Sequence, residues 1–241
     1  MSYFYSKTQN SGSRALVASL VVVLSCFFLS SLKADVVVQS NGKRIDGVTV
    51  LSAKWDQVLF KQGGNTVKLL GDKVVSIQRE SAYLQPVRSA ISSGDYAKAL
   101  SSISKLDGRG LKGWQAAELQ YLKGKAHLAA GEAGKADGVF KEFVVANKET
   151  KDYWLPHAIY GRGQASLDLG RGNSAQTHFQ GLAPYGPTWV LRAKLGEAQG
   201  LFLAKKYVES RGKFNEVANL SLIHISEPTR PRLISYAVFC L

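Results

Sequence analysis

Residues 114–182 read WQAAELQYLKGKAHLAAGEAGKADGVFKEFVVANKETKDYWLPHAIYGRGQASLDLGRGNSAQTHFQGL, and one pattern occurs in them twice. Gly124, Gly131, Ala136 and Phe140 stand 7, 5 and 4 residues apart, and Gly163, Gly170, Ala175 and Phe179 repeat that spacing 39 residues later. A period of this size marks an architecture of stacked repeats. In each copy a run of apolar residues at helical spacing, 114–130 and then 156–169, leads up to a glycine that can adopt the left-handed stop conformation. A shorter helix follows each glycine. Its alanine lets two helices approach closely, and its phenylalanine fills the space between them. The stretch therefore predicts two consecutive helix–turn–helix units.

This order of small residue, turn glycine, Ala and Phe resembles the tetratricopeptide repeat (TPR) family. Working outward, a looser copy precedes it. In residues 81–105 the segment SSGDYAKAL places Gly94, Tyr96, Ala99 and Leu100 as a turn and second helix, with Ile103 where the Phe would stand. Residues 83–92 form the expected first helix of that unit. Another copy follows. Tyr185-Gly186-Pro187 is a turn, Pro187 suits a helix start, and helices are expected at 189–204 and 207–217. There Ala198, Lys205, Ser210 and Phe214 take the four signature places, so a lysine replaces the turn glycine. From turn to turn the steps are 37, 39 and 35 residues. The family's basic period is 34, so the extra residues belong in the loops between units.

The resemblance implies a mainly α fold over residues 81–219: about four TPR-like helix pairs stacked as a solenoid, with a concave face built from the first helices. The family's groove positions carry over to Leu84 and Arg88, Tyr121 and Lys125, Tyr160 and Gln164, and Leu195 and Gln199. His157 and Arg192 lie one turn earlier on the same face. Tyr and Arg are favoured anchors in protein interfaces. Arg88, Lys125 and Arg192 together would favour an acidic segment or a C-terminal carboxylate.

Residues 35–80 have a different period. Val36–Val38, 44–51, 57–61, 66–70 and 73–78 read as short strands, punctuated by Asn41-Gly42, Asp56, Gly63-Gly64-Asn65 and Gly71-Asp72. Five strands in so short a stretch predict a small, strongly bent β-barrel-like module. Its topology and turn spacing resemble SH3-like or Sm-like barrels. Such a module has a small core and is expected to pack on the first helix of the repeats.

The two ends read differently again. Residues 1–14 are polar and basic, 15–32 form an uncharged apolar run, and Ala34 is a small residue before a possible cut. Residues 1–34 thus read as a secretory signal, with a retained single N-terminal anchor as the alternative. Cys26 makes a poor lipidation site, because the apolar run continues past it. Residues 220–241 read LSLIHISEPTRPRLISYAVFCL. The first eleven match an in-frame translation of a transposase-type sequencing adapter, and the last eight match the primer segment that follows it. This tail is therefore expected to be an adapter-derived artefact on a truncated chain. Fusion scars are left out of fold reasoning.

Cys26 and Cys240 both fall outside residues 35–219, which leaves no disulfide or thiol chemistry there. That stretch holds 26 basic and 17 acidic residues without a Lys/Arg run. A dispersed positive charge suits an acidic partner or an anionic surface, and it is no nucleic-acid footprint. The sequence lacks HExxH, Walker, nucleophile-elbow and GxGxxG patterns. His127, His157 and His178 fall one per helix and read as surface histidines, short of the cluster that a metal needs. Glu118 and Asp168 read as solvated helix charges. Trp114, Tyr121, Tyr153, Trp154, Tyr160, Trp189 and Phe202 read mostly as interhelical core. Leu201, Phe202 and Val217 are expected on an exposed outer face of the last unit.

No cofactor or metal site is expected, and no enzyme activity. The leading expectation is an exported scaffold of the periplasm or cell envelope, resembling bacterial periplasmic repeat proteins that organise envelope assemblies. It would bind a partner protein or peptide and would touch the membrane only through an uncleaved N-terminus. Two alternatives stand beside it. The β module could recognise a protein or glycan while the helices oligomerise. Or a catalytic domain could lie beyond Asn219.

Overall fold

The computed structural model describes residues 34–223, with side chains to residue 219. These residues belong to one compact unit. The expected signal at 1–34 lies outside them except for Ala34, and the expected tail at 220–241 lies outside them beyond residue 223.

Five strands come first: β1 (Asp35–Gln39), β2 (Arg44–Ala53), β3 (Gln57–Gln62), β4 (Asn65–Leu70) and β5 (Val74–Gln78). They form one antiparallel sheet in the order β4-β3-β2-β1-β5. The long strand β2 serves two neighbours. Its first half pairs with β1, from Arg44 opposite Val38 to Val48 opposite Asp35. Its second half pairs with β3, from Thr49 opposite Lys61 to Ala53 opposite Val58. A register break in each pairing gives β2 its bend. Alternate residues point inward, and Val37, Ile45, Val48, Val58, Phe60, Val74 and Ile77 are buried together. The Asp35 carboxylate accepts from the amides of Val50 and Glu80, each at 2.7 Å, and so ties the start of β1 to β2 and to the chain leaving β5.

The sheet is not the barrel that the turn spacing predicts. β4 and β5 each have one neighbour and remain edges. The β3–β4 ladder runs unbroken from Gln57–Leu70 to Gln62–Asn65, so no bulge turns β4 towards a closing partner.

Eight helices follow among the described residues: α1 (Gln85–Ser92), α2 (Tyr96–Asp107), α3 (Trp114–Ala129), α4 (Ala133–Asn147), α5 (Leu155–Asp168), α6 (Gly172–Gln180), α7 (Pro187–Leu203) and α8 (Tyr207–Ile223). Each packs on the next, and α1–α3, α3–α5 and α5–α7 also touch. The odd-numbered helices therefore neighbour one another.

The four turns from odd to even helix share one geometry. Gly94, Gly131, Gly170 and Lys205 have φ of 78°, 77°, 69° and 61°. The amide after each reaches back to a helix carbonyl: Asp95 to Ala90, Glu132 to His127, Arg171 to Ser166 and Lys206 to Leu201, at 2.8–2.9 Å. This six-to-one bond, with a left-handed residue before its donor, is the Schellman stop.

The glycines of the repeat have a steric role that comes in pairs. Phe140 of α4 is buried between Gly124 of α3 and Gly161 of α5. A Cβ on either glycine would lie 2.5 Å from the ring. Phe179 of α6 is held in the same way by Gly163 of α5 and Gly196 of α7. The first unit fills the equivalent space with other sizes, since Val87, Ile103 and Leu122 are buried in one cluster. In the last unit Leu201 and Val217 are buried, contrary to expectation, while Phe202 is 47% exposed. Ser210 is buried as well, and its hydroxyl donates to the Ala198 carbonyl at 2.8 Å.

Candidate functional site

The loop between α4 and α5 organises the site. Its backbone joins the sheet: the Trp55 amide donates to the Lys151 carbonyl at 3.0 Å, and Lys54 and Asp152 form an isolated antiparallel bridge. The Lys151 ammonium meets the Asp56 carboxylate at 2.9 Å. The Asp152 carboxylate then accepts the Trp154 amide at 2.8 Å, closing a tight turn. The next two rings part ways. Tyr153 enters the sheet core, and its hydroxyl donates to the Val75 carbonyl at 3.2 Å. Trp154 packs against both the sheet core and the α4–α5 core. The sheet thus docks chiefly on this loop rather than on the first helix of the repeats.

From Trp154 an aromatic cluster crosses α3, α5 and α7. Trp154 stacks on Tyr121 with ring centroids 4.4 Å apart and planes at 15°. His157, one turn along α5, lies 5.2 Å from Trp154, 5.8 Å from Tyr121 and 4.7 Å from Trp189, each edge to face. Tyr160 follows, 6.2 Å from Trp189 and 5.5 Å from Phe179. The Arg192 guanidinium lies over the Trp189 ring at 4.8 Å, a cation–π distance. The periodicity explains the grouping. Trp154, His157 and Tyr160 are three residues apart along α5 and its cap, and Trp189 and Arg192 have the same offset on α7.

Electrostatically the cluster is neutral with a positive rim. Burial, then the nearby Arg192 and Lys125 charges, push His157 down to about 3. Its Nδ1 lies 3.2 Å from the Tyr153 carbonyl, which places the proton on Nδ1 and leaves Nε2 as an acceptor. Burial raises Tyr121 to about 12 and also raises Tyr153 and Tyr160. At neutral pH these groups offer rings, hydroxyls and one imidazole acceptor. Lys125 is exposed and Arg192 half-buried. Among the described residues neither cation is in an ion pair.

Of the residues expected in the groove, Tyr121, His157, Tyr160 and Arg192 come together. Lys125 stands one turn beyond Tyr121, and Gln164 one turn beyond Tyr160; Gln164, Leu195 and Gln199 are half-buried. Leu84 and Arg88 do not join them. Leu84 is fully buried in the α1–α3 core. Arg88 turns away, its Nε bonded to the Glu118 carboxylate at 2.7 Å and its Nη1 to the Arg79 carbonyl at 2.7 Å. Glu118 is correspondingly buried at 4% exposure rather than solvated, and burial raises its pKa despite Arg88. His157 is no surface histidine either. His127 pairs with Glu132 at 2.6 Å across the α3–α4 turn, and His178 is on α6. Sequence reasoning assigned Tyr153, Trp154 and Trp189 to the core. The repeated three-residue offset of aromatic, His and Arg could have singled out Trp154 and Trp189, whereas Tyr153 stands outside it.

Beneath the face lies a cavity of about 20 Å³, lined by Arg79, Trp114, Glu118, Asp152, Tyr153 and Trp154 among others. It has room for about one water. Arg79 Nε and Arg88 Nη2 are buried without an acceptor. Among the described residues no group of three His, Cys, Asp or Glu side chains is gathered as a metal would require. Among them, too, no helix is long and apolar enough to cross a membrane.

No protein-family model, curated protein or solved structure matches this chain.

Proposed function

We propose that this chain is a non-catalytic, exported scaffold or adaptor of the periplasm or cell envelope. It binds a partner protein or peptide through the face shared by α3, α5 and α7. The observation that carries this reading is the aromatic cluster of Tyr121, Trp154, His157, Tyr160 and Trp189, rimmed by the cations Lys125 and Arg192. Aromatic rings with arginine are the usual anchors of protein recognition, and the two cations favour an acidic segment. The four matching turns and the odd-to-odd helix contacts support a TPR-type solenoid whose concave side would be this face. Export rests on the N-terminal apolar run alone, with a single membrane anchor as the alternative.

A second reading is favoured by one observation. The sheet exposes Leu51, Leu70 and Val75 at 51%, 58% and 47%, so the β module could carry the recognition of a protein or glycan. Capture of an envelope partner by the full chain separates the two. Arg192→Glu and Trp189→Ala should abolish capture, and Leu51→Ser with Leu70→Ser should leave it intact. The reverse result would discard the helical face in favour of the sheet. Deleting the sheet would not decide between them, because Tyr153 and Trp154 lose their packing with it.

A further inference from the structure

We infer that the five-stranded sheet is a positioning element for the aromatic face: it holds Trp154 against Tyr121 and is locked there by a partly buried charged clasp. The contacts form a closed loop. At the end of β5, the Arg79 carbonyl accepts from Arg88 of α1 at 2.7 Å. The same guanidinium binds Glu118 of α3 at 2.7 Å. The Arg79 guanidinium lies 5.0 Å over Trp114, the first residue of α3. One turn after Glu118 stands Tyr121, stacked on Trp154. Trp154 and its neighbour Tyr153 return the path to the sheet core, and Asp152 fixes the Trp154 amide. The charged groups facing one another in the clasp are Arg79, Arg88, Glu118 and Asp152, with Asp35 acting on Arg79 from β1.

Two features say that the clasp does more than fill space. Glu118 is buried and Arg79, Arg88 and Asp152 are half-buried, yet the buried atoms Arg79 Nε and Arg88 Nη2 remain without acceptors. A buried ionic group of this kind adds little net stability but is costly to break one partner at a time. It therefore fixes geometry. Its members also come from the chain just after β5, from α1, from α3 and from the α4–α5 loop, the segments that must keep register for Tyr121 to meet Trp154. Loss of the stack and undocking of the sheet are then one event, and coupling of this kind is reciprocal. The inference holds whatever ligand the face takes.

Tyr121 makes the decisive test, because it meets the sheet core through the Trp154 ring it stacks on and, through His157, at Tyr153. Amide hydrogen exchange on the full chain compares Tyr121→Ala with Tyr160→Ala, a truncation of equal size that does not touch Trp154. The first should speed exchange of Val37 and Ile77 about tenfold, and the second should leave it within about twofold. Tyr121→Leu keeps helix packing, removes the stack, and carries the same expectation if the alanine variant does not fold. In the other direction, Glu118→Gln should alter the near-UV circular dichroism of the Tyr121–Trp154 pair together with sheet exchange. Equal sheet exchange in the two tyrosine variants would overturn the inference. So would faster sheet exchange in Glu118→Gln with an unchanged aromatic signal. Partner capture is not used here, so failure of the binding proposal would show separately.

Discussion

Gly161→Ala tests the paired-glycine packing most directly. The Phe140 ring is 1% exposed and held from both sides. A Cβ at position 161 would stand 2.5 Å from Cε2, and one at position 124 would stand 2.5 Å from Cε1. Carbon atoms pack at roughly 3.5–4.0 Å, so the new methyl overlaps the ring by about 1 Å. The ring cannot retreat, because the α3 backbone at Gly124 lies against its other edge. Overpacking of this kind costs up to about 3 kcal/mol. Replacing Gly by Ala in a helix returns about 1 kcal/mol. The net loss is therefore about 2 kcal/mol, or roughly 4–8 °C in Tm for a chain of this size. Gly138 in α4 is the control, since nothing lies within 4 Å of its would-be Cβ. Gly138→Ala should gain about 0.5–1 kcal/mol. The same substitution thus has opposite signs one helix apart. Urea unfolding reads both, as a shift in midpoint with m unchanged. Phe140→Leu added to Gly161→Ala should recover part of the loss, since Ile103 beside Leu122 already combines a smaller knob with a larger neighbour. If Gly161→Ala were as stabilising as Gly138→Ala, the clamp would be wrong.

Lys205 holds a left-handed φ of 61° where the other three turns have glycine, so Lys205→Gly should raise stability by about 1 kcal/mol in thermal or urea unfolding. Two of the contributions to the pH dependence, those of His157 and Glu118, oppose each other. His157 is lowered to about 3 from 6.5, so its contribution is full above pH 6.5 and is lost as pH falls towards 3. Glu118 is raised, so the folded state holds its proton more tightly and this contribution grows as pH falls. His157→Phe should therefore flatten the acid side of the stability profile by up to about 1.4 kcal/mol per pH unit; parallel wild-type and variant profiles between pH 6.5 and 4 would refute it. Asp35→Ala leaves the Val50 and Glu80 amides without their acceptor and should cost about 1–3 kcal/mol, read as a lower Tm.

The helical half was legible because its rules are local. Small residues at Gly124 and Gly163, a left-handed stop and a ring-bearing position lie within one unit, and their spacing encodes them. Even Lys205, which lacks the expected side chain, kept its place through the register of Ala198, Ser210 and Phe214. Gly161 was visible but uninterpretable, since the ring it admits belongs to the preceding unit. The strands were legible from turn residues, but barrel closure was not. Closure depends on whether β4 bends, and an unbroken β3–β4 ladder leaves no mark in turn spacing. Arg88 and Glu118 went astray for a related reason. Helical register places them on the open face, but the Arg79 carbonyl that turns Arg88 inward arrives from the chain leaving β5.

The departures from the repeat locate the site better than the repeat does. Among the three turn-to-turn steps, the longest runs from Gly131 to Gly170. The loop within that step, between Asn147 and Leu155, docks on the sheet through Lys151, Asp152 and Tyr153 and presents Trp154 to Tyr121. A loop that only joined two helices would need few residues and no buried rings. This one buries Tyr153 on one side and stacks Trp154 on the other, while Lys151 holds a φ of 54°. Left-handed backbone at a residue other than glycine is strained and persists only where its surroundings fix it. Here the fixing contacts are the sheet's own: Trp55, Asp56 and Val75. The repeats supply the rows of first helices. The inserted loop and the sheet that grips it make one section of those rows aromatic, half-buried and rimmed with positive charge.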